Sequence, residues 1–414
     1  MRKLIFLFPL LAACVLEPTP SADDAPSALK PAKTELAHEV DVDKELLVKD
    51  SWLLGDQDPD APASFRMPAE WRFATRFRAL GAGSIDGFFD GFQATRAYTS
   101  VEAETPTIPL PRHALSVPFL VSWRAAGGCY GCDAGPLPLD QAPFVLVGIV
   151  NRVDQAEDPC SPEAGELRFV YNAFDAKTRR PEPFSVIFEY RVPKDAATWA
   201  RAFHALGSLH RTEEYRARLL ALTSMVTADP ANLKTVRTNE KVFTSEWRLR
   251  EFRVRGGQLV PVALAETPDI SFNQTSELDA LFAQRVKLGA STPNPVPIMM
   301  MTGEASTPSA DFRWESSSYV GGASSGSNAG PYSQRTCNGC HGGNRPDRDR
   351  LPFQHVGFGQ AYYGSIGGEP QVSDYLSKTE LPKRKEWLSS AIQVDCTQPH
   401  AYTKSAVGGL RAAH

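Results

Sequence analysis

Apolar and polar positions alternate in blocks that spell out short strands and helices. "FVLVGIV" (144–150) is apolar on both faces and predicts a buried strand. "ELRFVYNAF" (166–174) and "FSVIFEYRV" (184–192) predict two more. "DAATWARAFHALG" (195–207) has helical spacing, with Asp195 placed as N-cap, Trp199 and Phe203 on one face and Gly207 at the end. "RTEEYRARLLALTSMV" (211–226) predicts a second helix with Tyr215, Leu219 and Leu222 inward. In "WRLREFRVRGGQLVPVALA" (247–265), Trp247 and Leu249 alternate with arginines and Gly256-Gly257 makes a hairpin turn. The Arg250-Glu251 pair breaks that alternation as a β-bulge would. "TSELDALFAQRVKLG" predicts a third helix, opened by Ser276 and closed by Gly289. "LPKRKEWLSSAI" (381–392) predicts a last one, with Pro382 in its first turn and Trp387, Leu388 and Ile392 buried. No regular strand–helix–strand repeat is present, so the expected fold class is α+β: a mixed, loop-rich body of residues 48–314.

Outside these blocks the chain changes character. Residues 15–45 are rich in Pro, Ala, Ser and charge, and predict a disordered tether over 14–47, about 80 Å long if some ~25 residues run extended at ~3.1 Å each. "ESSSYVGGASSGSNAGP" (315–331) reads as a Gly/Ser-rich linker, which leaves residues 332–414 as a C-terminal unit. The start is basic (Arg2, Lys3), then apolar for ten residues, too short to span a bilayer stably. It ends in Leu11-Ala12-Ala13-Cys14, which resembles the bacterial lipobox. That resemblance implies a signal peptide of residues 1–13, lipidation of Cys14 and a membrane anchor. With Val15 rather than Asp after the Cys, it implies the outer membrane.

Without its first thirteen residues the chain carries 42 basic and 48 acidic side chains, a charge of −6. Such a surface argues against nucleic acid as a partner. No nucleophile elbow, His-Glu-x-x-His or Walker-type loop is present. Chemistry concentrates instead in "RTCNGCHGG" (335–343). Two thiols two residues apart followed by an imidazole is the spacing for covalent haem: thioethers at Cys337 and Cys340, with His341 beneath the iron. A Cys337–Cys340 disulfide is the second reading. Zinc shared with Cys129 and Cys132 is the third, disfavoured by an oxidising compartment. If haem takes two thiols, Cys129, Cys132, Cys160 and Cys396 remain as two disulfides of undetermined connectivity.

"CNGCHGG" resembles the haem segment of class I c-type cytochromes, and 381–392 is similar to their terminal helix. The resemblance implies a small, mainly helical cytochrome c-like unit at the C-terminus. Such domains bring a Met to the far side of the iron, but no Met follows Met301 here. His355 in "LPFQHVGFG" is the expected distal ligand, with His400 the runner-up and the Met299–Met301 run a third. With none of these bound, an open iron would allow a peroxidase-type activity. The succession "FVLVGIVNRVD", "ELRFVY", "FSVIFEY", "VRTNE", "WRLREFRV", "TPDISFN", "TCNGCHG" resembles a group of secreted bacterial proteins of unassigned function, from Phe144 to His355. That implies that body and motif belong together, and implies no activity. Asn151, Arg152, Asp154, Arg237, Asn239 and Glu240 are candidates for a polar cleft or for contacts to haem propionates. A plain ion-pair network is the competing reading. His204 and His210 read as bystanders.

The expectation is therefore an outer-membrane lipoprotein with one haem c, for electron transfer or redox sensing with a redox partner protein. The alternative is a binding or structural lipoprotein whose cysteines only staple loops.

Overall fold

The computed structural model describes residues 37–54, 67–81, 83, 85–92, 94–95, 110–111, 117–129, 135–177, 180–241, 247–264, 267–287, 300, 305–307, 314–315, 336–341, 355–357 and 369–397. Cys14, Cys132, Met299, Met301, His400, residues 316–331 and the side chain of Cys340 lie outside them. The fold is α+β, as expected. Its centre is an antiparallel sheet of β1 (Leu47–Val48), β2 (Phe144–Arg152), β3 (Glu166–Phe174), β4 (Pro181–Arg191), β5 (Leu233–Lys241) and β6 (Trp247–Arg255), in that order. The far edge of β6 pairs with β7 (Gln258–Val262) through the Gly256-Gly257 turn, where both glycines take positive φ, and with β8 (Ala305–Thr307).

Register divides the sheet into two unlike faces. Phe144, Leu146, Phe169, Tyr171, Phe184, Phe188 and Phe252 share one of them. Helices α2 (Phe73–Ala79), α3 (Ile85–Phe92) and α4 (Val117–Ala126) cover it with Phe73, Phe88, Phe89 and Trp123. Phe73 stacks on Phe144 at 4.2 Å between ring centres and meets Tyr171 edge-on at 5.5 Å. The other face carries Arg152, Glu166, Arg168, Glu189, Arg237, Asn239 and Glu251, all buried. Arg250 and Glu251 pair in unbroken register with Thr238 and Arg237, so the expected bulge is absent. The alternation breaks because both faces bury charge here, Arg250 beside Phe252 on the first and Glu251 beside Leu249 on the second, not because the strand is irregular.

At the β1 edge, α5 (Ala196–Gly207) is capped by the Asp195 carboxylate, which accepts from Thr198 N, and α6 (Glu213–Thr227) follows with Tyr215, Leu219 and Leu222 buried. The predicted tether ends earlier than residue 47. Val42–Glu45 form a short helix, α1, and β1 pairs with β2, because Val40, Leu46, Leu47 and Val48 are apolar and buried. α7 (Ser276–Lys287) matches the third predicted helix. The described C-terminal residues share the body's core. α9 (Leu381–Gln393) packs on α5 and buries Trp387, Leu388 and Ile392, and a Cys160–Cys396 disulfide ties its end to the β2–β3 connection. Cys129 is also disulfide-bonded.

Candidate functional site

The motif folds as one short helix, α8 (Cys337–His341), laid against β6 on the charged face. Cys337 N donates to Thr267 Oγ1 at 3.1 Å, and the side chain packs with Trp247, Leu249 and Leu264. Cys337 is in no disulfide and has no solvent exposure. Burial pushes it up to about 12, against the pull of the Arg237 guanidinium. His341 is buried and lies flat on Trp247, with ring centres 4.2 Å apart and planes 12° apart.

His355 reaches the same place from fourteen residues further along the chain. Its ring centre stands 4.6 Å from that of His341, with the planes inclined at 41°. Its Nδ1 is hydrogen-bonded with Ser373 Oγ at 3.0 Å, which orients the ring. The two imidazoles border a cavity of ≈ 70 Å³ whose floor is the charged face of the sheet: Arg152, Arg168, Ser185, Glu189 and Asn239, with Arg384 of α9 at the side. Asn239 Oδ1 is buried there without a hydrogen-bond partner among the described residues.

Around the cavity the charges are matched. Arg168 binds Glu166 and Glu189; Arg237 binds Glu189 at 3.2 Å and Glu251 at 3.0 Å; Arg152 holds Asp154 with Nε and Nη2. Burial alone would raise Glu166, yet Arg168 and Lys234 outweigh it and hold the carboxyl well below its usual range. Asp154 is likewise lowered, its burial outweighed by Arg152 and then Arg384. Arg384 falls to about 10, first through burial and then through the like charge of Arg152.

Of the six polar-cleft candidates, Arg152, Asp154, Arg237 and Asn239 belong to this assembly. Asn151 and Glu240 do not, because their strand positions face the opposite side of the sheet. Asn151 instead bonds Glu45 O and accepts from Trp199 Nε1. Sequence reading missed Arg168, Glu189, Glu251, Trp247 and Arg384. A signal existed for each: the first four alternate in phase with the strand pairs, and Arg384 precedes Trp387 and Leu388 by three and four positions, on the helix's buried stripe. The Met300 side chain packs with Leu278, Leu281 and Trp314, as core and not beside His341.

The donor types suit a c-type haem, but the room does not. Metal–imidazole bonds of roughly 2.0–2.1 Å put two rings on opposite sides of one iron about 6 Å apart, centre to centre. At 4.6 Å the rings touch each other, a spacing nearer to two imidazoles converging on one ion from the same side. A drug-sized ligand takes a pocket of roughly 300–1,000 Å³, and a porphyrin belongs to that size class, well above ≈ 70 Å³. As the described residues stand, a porphyrin does not fit between His341 and His355. Comparison with protein-family models, with curated proteins and with solved structures gives no match.

Proposed function

We propose that the chain is an outer-membrane-anchored lipoprotein with one redox metal centre built on Cys337, Cys340, His341 and His355, serving electron transfer or redox sensing at the cell envelope. The observation that carries this reading is the approach of His355 to His341 above a cavity of buried arginines and carboxylates. Two forms of the centre are separable. The Cys-x-x-Cys-His spacing on an exported chain favours covalent haem c in a cytochrome-like C-terminal unit. The 4.6 Å ring separation favours a bare ion on the same side chains. The motif's spacing puts haem c first, because two bare thiols two residues apart in an oxidising compartment tend to pair, whereas thioethers cannot; it requires His355 to stand further from His341 than the 4.6 Å seen here. On this reading the partners are the membrane, through lipidated Cys14, and a redox protein.

The test is expression with the cytochrome c maturation system, then an alkaline pyridine haemochrome spectrum of the denatured chain. Haem co-migrating with the polypeptide, together with a shift from low-spin to high-spin ferric haem in His355→Ala, is the expected result. No haem, but one equivalent of metal lost on His355→Ala, selects the bare-ion form. Neither haem nor metal leaves a binding or structural lipoprotein and overturns the proposal.

A further inference from the structure

A second set of donors lies far from the motif in sequence, where the N-terminal segment meets α5. Glu45, at the end of α1, has no solvent exposure, and its two oxygens face two histidines. Nε2 of His38 is 3.2 Å from Oε1, and Nδ1 of His204 is 2.7 Å from Oε2. The two imidazoles stack at 4.0 Å with planes 17° apart, which aims both nitrogens at the same carboxylate. All three donor atoms lie within 4.8 Å of one another, the one such group of histidine, cysteine and carboxylate side chains among the described residues.

The space is built and not accidental. Gly207 closes α5 beside the cluster, and a Cβ there would fall 2.1 Å from Glu45 Oε1 and 2.3 Å from His38 Nε2. Lys44 Nζ donates to Gly207 O and Leu209 O, which fixes that helix end against α1. Asp41 N donates to Glu45 Oε1 and orients the carboxylate.

We propose that His38, Glu45 and His204 bind one divalent transition-metal ion of zinc's class. Two imidazoles and one carboxylate form a set used for zinc and for non-haem iron, with one or more positions left for water. Donors in a tetrahedral zinc site stand roughly 3.3 Å apart, given bonds of ~2.0–2.1 Å. Nε2 of His38 already stands close to that from Oε1, while Nδ1 of His204 must move out from Oε2 and the stacked rings must open so that one ion lies in both ring planes. Calcium and magnesium are excluded as the preferred ion, since they take oxygen donors. His38 is a quarter exposed, so the fourth position opens to solvent on its side. The ion would pin the start of the folded body to α5.

The test uses the full chain stripped with chelator and titrated with Zn²⁺ and, separately, Co²⁺. The expected result is one equivalent bound, with a cobalt spectrum free of thiolate charge-transfer bands and retained in a Cys337→Ser/Cys340→Ser protein. Failure of the motif's own centre therefore leaves this site measurable. His38→Ala, a partly exposed change that spares the core, is expected to weaken binding at least roughly tenfold, as is Glu45→Gln. Bound metal should slow hydrogen exchange over residues 38–48. Absence of binding, or binding that both substitutions leave unchanged, overturns the proposal.

Discussion

Asn151 is a single buried amide that joins three elements. Its side chain donates to Glu45 O at 3.1 Å and accepts from Trp199 Nε1 at 3.0 Å, while its backbone N donates to Leu46 O. Asn151→Ala leaves an indole N–H and a carbonyl buried without partners, so a loss of about 2–4 kcal/mol is expected in urea denaturation. A loss below about 1 kcal/mol would mean that water replaces the amide. Cys337 makes a second prediction at this scale. A thiol pushed to about 12 and wholly enclosed should resist iodoacetamide at pH 8 in the folded protein. After unfolding it should alkylate if it is free, and stay blocked if it is a thioether. Mass spectrometry of the peptide containing residue 337 separates the two.

The strands β3 to β6 are half core and half circuit. Their apolar positions stack aromatics under α2, α3 and α4, and their alternate positions carry Arg168, Glu189, Arg237 and Glu251. Arg237→Met should cost about 2–4 kcal/mol, because Glu189 and Glu251 each lose a buried partner and keep only the longer contacts to Arg168 and Arg253. Adding Glu189→Gln and Glu251→Gln should restore most of that, and an unrecovered midpoint in the triple variant would count against the charge account. β3, β4 and β6 were legible as strands because apolar positions recur at every second residue; β5, with only Leu233 and Val236 apolar among nine residues, was not. The identity of the second face was not legible in the same way. Charge at alternate positions in a strand ordinarily means solvent, and only the C-terminal segment lying across it turns that face into interior. Hence Arg250-Glu251 read as a bulge. Arg152, Arg237 and Asn239 were picked out but assigned no neighbours, since what joins them to His341 is tertiary packing. His355 was picked out from its apolar setting as a distal ligand, whereas its ring stands directly against that of His341. The burial of Val40–Val48 was hidden by the charged residues interleaved with it.

At the scale of the molecule, the buried carboxylates set the acid limit. Asp154 and Glu166 are held below the unfolded-state value of roughly 4. Groups depressed in this way contribute stability that is fully present above the unfolded value and is lost as pH falls toward the folded one. Unfolding free energy should thus be level from about pH 7 to 5 and fall below ~4, less steeply in Glu166→Gln. The Cys160–Cys396 disulfide spans 236 residues of sequence. In the chain-entropy model a loop of that size is worth about 5.5 kcal/mol at most, so Cys160→Ser/Cys396→Ser should lower the urea midpoint and speed hydrogen exchange in α9. An unchanged midpoint would assign the docking of α9 to its apolar stripe alone.

The arrangement at the β1 edge also decides how the protein bears a pull. The N-terminal segment enters beside α5 and pairs with β2 over only two residues, Leu47 and Val48, and Glu39 reaches Lys385 of α9. On the proposed anchoring through Cys14, a pull on residues 37–48 would meet α1, β1 and α9 together, at the β1 edge of the sheet. The two-residue pairing would shear as a unit, while the disulfide keeps α9 fastened to the β2–β3 connection. Under that anchoring the short β1 pairing would yield before the strands β2 to β6 that carry the charged face.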